Sequence, residues 1–240
     1  MSMMTLSRLR QRMMTRLTRH RLPAVAREVR RRHLTYLSEA KFLSLRHAIR
    51  EITRSGVQGD FVEFGVALGG SAIYLASETA GRRRFRGYDV FGMIPAPGEH
   101  DDGPSKERYE VIRSGRSKGI GGDPYYGYEQ NLYGRVCATF ESFGYPVDGV
   151  AVVLYPGLFE QTVRFGRGDQ VALAHIDCDW YAPVKLCLER TAGVLPSGGL
   201  LILDDYNDYG GCRKAVDEFL EADARFELMR TSPHAVLRRN

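Results

Sequence analysis

"QVALAHIDCDWYAPVKLCLERTAGVLPSGGLLILDD", residues 170–205, reads as a strand, a helix and a second strand. The run Val171–Ile176 is short, apolar and β-branched in part, which suits a strand buried on both faces. A helical segment over 182–195 follows, with proline in its first turn, and Gly198–Gly199 separates it from a second apolar run, Leu200–Leu203. A helix between two such strands predicts a parallel pair joined by a crossover. Each strand ends in carboxylates: Asp177 and Asp179 on the first, Asp204 and Asp205 on the second.

The same alternation extends outward. "DFVEFG" (60–65) predicts a strand with its helix over 69–80, and 85–91, 150–157, 170–177 and 199–205 continue the series. A helix over 212–222 leads to 226–232 and 234–240, close enough in sequence to form a final antiparallel pair. The predicted fold class is α/β: a Rossmann-like, mostly parallel sheet with an antiparallel terminal strand and helices on both faces. About sixty residues separate the second and third strands, too many for a structureless loop. A helix over 127–143 is expected there, with a mobile lid before it in an insertion of about 92–130.

With 240 residues and 43% hydrophobic composition, the chain is long enough for one well-packed domain. The expected organisation is a basic helical arm over 1–55 before a domain over 56–240. Four cysteines, Cys137, Cys178, Cys187 and Cys212, form no C-x-x-C pair, which points to reduced thiols and a cytoplasmic protein rather than a disulfide framework. No apolar run is long enough to span a bilayer. The net charge of +5 owes its sign to residues 1–27, which hold seven arginines and no acid. There Leu6, Leu9, Met13 and Leu17 share a helical face. Packing on a second subunit of a homo-oligomer, or over the active site, is the expected use of that face. Nucleic-acid or lipid binding ranks below it, because no aromatic residue is interleaved with the arginines.

Ligands of open parallel sheets bind at the carboxyl ends of the strands, beside the point where strand order reverses. Glu63, Gly65, Gly69, Gly70 and Ser71 cluster there in the spacing E-x-G-x-x-x-G-G-S, unlike the G-x-G-x-x-G of nicotinamide proteins. Asp89 closes the second strand, where a carboxylate accepts both hydrogen bonds of a ribose diol. A carboxylate at position 63 suits an amino group and disfavours a pyrophosphate, so the set favours S-adenosylmethionine.

Strands four and five are neighbours in this order, which brings Asp177 and the Asp204–Asp205 pair to one edge of the cleft. Three carboxylates do not stay ionised together without a cation. Oxygen donors without a matching cysteine or imidazole indicate Mg2+ or Mn2+. The competing reading makes Asp205, Asn207 and Asp208 turn and cap residues, Asp179 a solvated side chain, and Trp180 and Tyr181 core.

"GDFVEFGVALGGS" (59–71), "YPGLFEQT" (155–162), "HIDCDWYAPVKLCLE" (175–189) and "GGLLILDDYNDYGGCRKAVDEF" (198–219) resemble the macrocin O-methyltransferase family. The resemblance runs from about residue 59 to 222. It implies a class I methyltransferase fold and metal-dependent transfer of a methyl group from S-adenosylmethionine to a sugar hydroxyl in natural product biosynthesis. It further implies Asp177, Asp204 and Asp205 as metal ligands and Asp177 or Asp179 as base. The partner is then a small-molecule hydroxyl acceptor. A catechol-type O-methyltransferase would share these motifs, and a non-catalytic binding module using the basic arm is the rival from another class.

Overall fold

The computed structural model describes residues 22–79 and 81–240; the apolar face read over Leu6–Leu17 lies outside them. Helices α1 (Ala24–Arg31) and α2 (Glu39–Ser55) precede β1 (Asp60–Phe64), α3 (Gly70–Thr79) and β2 (Phe85–Asp89). Then come α4 (Gly103–Arg113), α5 (Leu132–Ser142), β3 (Val152–Pro156) and the single turn α6 (Phe159–Thr162). The chain closes with β4 (Val171–Ile176), α7 (Tyr181–Ala192), β5 (Leu200–Leu203), α8 (Gly210–Ala222), β6 (Phe226–Arg230) and β7 (Ala235–Arg239). The seven strands form one sheet of order β3-β2-β1-β4-β5-β7-β6. All pairs are parallel except β5–β7 and β7–β6, as the spacing of the last two segments predicts.

Alternation along the strands divides the core in two. Phe61, Leu173 and Leu200 point into a cluster with α1, α2, α3 and α5, while Val62, Ala174 and Leu201 point into a cluster with α7 and α8. Leu22, Ala26 and Val29 are buried in the first cluster, and α1 packs on α3. The described part of the basic arm is therefore layered on the sheet. Ser38 caps α2 by accepting the Lys41 N–H at 3.2 Å, and Gly56 ends it with φ 71°.

The insertion between β2 and β3 holds more regular structure than its composition suggests. Asp102 caps α4 by accepting the Ser105 N–H at 2.9 Å, with proline in the first turn. The expected helix over 127–143 is shorter, because the Asn131 side chain accepts the Gly134 N–H at 3.1 Å and sets the start at Leu132.

At the amino ends of the strands, away from the carboxylate-bearing tips, Arg86 joins Asp60 and Asp169. Its Nε lies 2.7 Å from Asp60 Oδ2 and its Nη2 2.7 Å from Asp169 Oδ1. The hydrogen bond from Arg86 holds Asp169 down at about 2. A depressed carboxyl contributes stability above its unfolded pKa, and loses it as pH falls through the folded value. Urea unfolding at pH 5, 3 and 2 should show this loss of about 1 kcal/mol, allowing for solvent screening; Asp169→Asn should flatten that part of the profile. An unchanged profile in Asp169→Asn would show that the pair adds nothing.

Candidate active site

The carboxyl ends of β1, β2 and β4 open onto two adjoining cavities of about 320 and 230 Å3. Gly65, Asp89, Tyr126, Asp177, Asp179 and Trp180 line both. The larger is polar and reaches Thr35, Lys41, Ser71, Arg108, Asp205 and Tyr209; the smaller is apolar, with Ile94, Pro95, Leu158 and Phe159 in its wall.

Backbone geometry fixes the shared wall. Gly65 has φ 94°, and a Cβ there would overlap the carbonyl oxygen of Asp177, so β1 and β4 can approach at their tips only with glycine. Asp89 Oδ2 accepts the Ala67 N–H at 2.9 Å, and its Oδ1 accepts the Phe91 N–H at 2.5 Å. Ala67, Phe91 and Asp179 all have positive φ, of 48°, 49° and 58°, the left-handed strain that gathers at functional sites. Burial raises the Asp89 carboxyl while the backbone donors at Ala67 and Phe91 pull it back.

Gly65, Ser71 and Asp89 thus face the cavities, whereas Glu63, Gly69 and Gly70 do not line either. Gly70 admits the 34–35 segment: its N–H donates to the Leu34 carbonyl at 2.9 Å, and a Cβ there would strike that oxygen. Gly69 has φ 89° and turns the chain into α3. Glu63 is fully buried behind the wall, its Oε1 2.7 Å from His175 Nδ1.

The four carboxylates at the β4 and β5 tips separate into two groups. One oxygen from each of Asp177, Asp179 and Asp205 lies within 4.8 Å of the others. Asp205 Oδ2 also accepts the Asp179 N–H at 3.1 Å. Burial raises all three, and negative neighbours add to it: Asp179 reaches about 6, with Asp204 its main electrostatic cause, and Asp177 and Asp205 go well above the carboxylate range. Three oxygen donors that repel one another fit a hard divalent cation.

Asp204 turns away from them. Its Oδ2 accepts from Lys41 Nζ at 2.7 Å, and its Oδ1 meets His234 Nδ1 at 3.3 Å and His175 Nε2 at 3.5 Å. Burial opposes ionisation of Asp204, but hydrogen bonds from His175 and His234 and the charge of Lys41 hold it below the usual range. Burial likewise opposes the imidazolium of His175, yet hydrogen bonds to Asp204 and Glu63 push it up to about 10. His175, Asp204 and His234 also come within 4.8 Å of one another. Lys41 Nζ already pairs with the Asp204 carboxylate, and both ring nitrogens of His175 face carboxylate oxygens, so this second group is a charge-paired network within the protein.

Sequence reading missed Lys41, His234 and Arg108. Lys41 lies 163 residues from Asp204, and nothing local to α2 marks it.

A mostly parallel seven-stranded sheet closed by an antiparallel β7, with cavities at the tips of β1, β2 and β4, is the Rossmann-like fold of class I methyltransferases. The family model for macrocin O-methyltransferase (TylF) matches residues 2–119 and 124–230, and the chain belongs to that family. It is 30% identical over 182 residues to the 8-demethyl-8-(2,3-dimethoxy-alpha-L-rhamnosyl)-tetracenomycin-C 4'-O-methyltransferase of Streptomyces olivaceus, covering 73% of this chain and 63%, just under two thirds, of that protein. It is 25% identical over 195 residues to the mycinamicin III 3''-O-methyltransferase of Micromonospora griseorubida, covering 77% of this chain and 69% of that one. Among solved structures, the O-methyltransferase NovP superposes with a TM-score of 0.70 at 24% identity, covering 86% of this chain and 82% of NovP. The SAH-bound Podospora anserina methyltransferase PaMTH1 gives 0.58 at 16%, covering 100% of this chain and 97% of that one. Among the described residues no helix is long and apolar enough to cross a membrane.

Proposed function

We propose that the protein transfers the methyl group of S-adenosylmethionine to a hydroxyl of a sugar on a natural product or glycoconjugate, with Mg2+ or Mn2+ at Asp177, Asp179 and Asp205. The observation that carries this reading is that two cavities, one apolar and one polar, meet at Asp89 and the acidic cluster. Family membership, the rhamnosyl acceptor named for the tetracenomycin relative and the mycinamicin acceptor named for the other support it.

The cofactor would supply an electrophilic methyl group, and the ion would lower the pKa of a hydroxyl beside it. The chain's own residues do the rest. Asp89 keeps a second lone pair on each oxygen for a ribose diol. The apolar cavity between Ile94 and Phe159 accepts a flat base, and Gly65 and Ser71 leave room for the amino-acid end. Of the two carboxylates at the β4 tip, Asp177 and Asp179, the one beside the acceptor hydroxyl takes its proton. Trp180 and Tyr209 meet edge to face with ring centroids 5.2 Å apart in the wall beside the acidic cluster.

The test is methyl transfer to rhamnosides set against catechols, with and without chelator. Loss in chelator, recovery with Mg2+ and preference for the sugar support the reading; transfer undiminished in chelator removes the metal from it. Calorimetry checks the cofactor separately: Asp89→Ala should weaken S-adenosylmethionine by about 10–100-fold, the worth of one or two hydrogen bonds to a charged group. Unchanged affinity would place the ribose elsewhere.

A further inference from the structure

Helices α7 and α8 begin just after the acidic cluster, α7 two residues past Asp179 and α8 five past Asp205. Neither caps itself: Trp180 and Tyr209 hold the N-cap positions, and neither side chain accepts a helix N–H. The caps come instead from the insertion. Asp101, 4% exposed, accepts the Tyr181 N–H on Oδ1 at 2.8 Å and the Gly98 N–H on Oδ2 at 2.7 Å. Asp102 accepts the Gly210 N–H on Oδ2 at 2.9 Å, while its Oδ1 caps α4. Trp180 Nε1 donates to the Pro95 carbonyl at 2.9 Å. The glycine pair at the start of α8 completes the fit. A Cβ on Gly210 would stand 2.5 Å from Asp102 Oδ2, and one on Gly211 would overlap Asp101 Oδ1.

We propose that Asp101 and Asp102 are positioning residues: a charge clasp that docks the insertion onto the N-termini of α7 and α8, so that both cavity walls and the acidic cluster form one rigid unit. Uncapped N–H groups at a helix start carry partial positive charge, and a carboxylate there makes a strong hydrogen bond to it. The insertion supplies Ile94 and Pro95 to one cavity and Arg108, Tyr125 and Tyr126 to the other or to both. Release of the clasp would open both walls at once and leave the strands in place. The reading of the cavities as cofactor and acceptor sites underlies the functional half of this proposal.

Trp180 is the single tryptophan and is 2% exposed, so it reports on the clasp directly. In Asp101→Ala of the full chain, its emission should shift to the red, its quenching by acrylamide should rise several-fold, and amide exchange over 103–113 should quicken at least tenfold. Exchange in β1, β4 and β5 should not change, and S-adenosylhomocysteine should bind about tenfold more weakly. Gly211→Ala should give the same pattern, and adding Asp101→Ala to it should cost little more, since both break one contact. Asp101→Asn, which keeps an acceptor, should show a smaller version and serves if the alanine variant does not fold. Equal acceleration in the strands, unaltered exchange in 103–113, or fully additive effects of Asp101→Ala and Gly211→Ala would overturn the clasp. S-adenosylhomocysteine failing to bind the unaltered protein would instead overturn the cofactor reading, because fluorescence and exchange need no ligand.

Discussion

Asp177→Asn should lower methyl transfer by about 10²–10⁴-fold, the usual cost of losing a group that holds or moves a proton at the reacting centre, without lowering the melting temperature. The two halves of that expectation have one cause. Burial and the negative charge of Asp204 push the Asp177 carboxyl up, so the folded protein gains by its neutralisation even as the site loses a donor. Asp205→Asn should behave alike, since Asp205 stands in the same group of three. Asp204→Asn should divide differently. It strips the counter-charge from Lys41 and His175, both buried or nearly so, and should destabilise by about 3–5 kcal/mol, the cost of breaking a buried pair. Thermal melts beside single-turnover assays, with Mn2+ titrated by calorimetry, separate the two behaviours. A stable, inactive Asp204→Asn with lost Mn2+ binding would move the ion onto Asp204.

Gly65→Ala should lose about 3 kcal/mol or more, if folded protein is recovered at all. The added Cβ meets the backbone carbonyl of Asp177, an atom held by the β1–β4 ladder through the Asp177 N–H to Phe64 carbonyl bond of 2.8 Å. Only separation of the strand tips relieves the overlap, and that displaces the β4 tip that carries Asp177 and Asp179. Gly56→Ala is the control, with φ 71° and nothing within 4 Å of the added carbon, so it should cost only the strain of its left-handed backbone. Denaturant midpoints decide it. If the two variants lose equally, the close approach at Gly65 has no energetic weight of its own.

The strands and the mostly parallel sheet were legible because β1, β4 and β5 are short, largely apolar runs bounded by glycine or carboxylate. Phe61–Phe64, Val171–Ile176 and Leu200–Leu203 announce themselves without tertiary information. The convergence of Asp177 with the β5 tip followed from strands four and five being neighbours, as the β4–β5 register shows. The insertion was harder: α4 depends on one capping aspartate and a proline, signals that many loops share. The same holds for the glycines of the first turn. Spacing located Gly65, Gly69 and Gly70 at the cleft, but only the packing distinguishes a wall residue from those that admit the 34–35 segment or turn the chain into α3.

Local pattern therefore determined the sheet, its antiparallel end and which strand tips carry charge, because periodicity and chain connectivity act over a few residues at a time. The partition of the carboxylates was decided only in three dimensions. Asp204 and Asp205 are adjacent in sequence, yet one meets Lys41, His175 and His234 while the other faces Asp177 and Asp179. Successive residues at a strand end point to opposite sides, and which side holds a counter-charge depends on α2 and on the turn before β7. Those partners lie 163 and 30 residues away. No local rule links them; the electrostatics of the site are set by packing the chain's two ends against its middle.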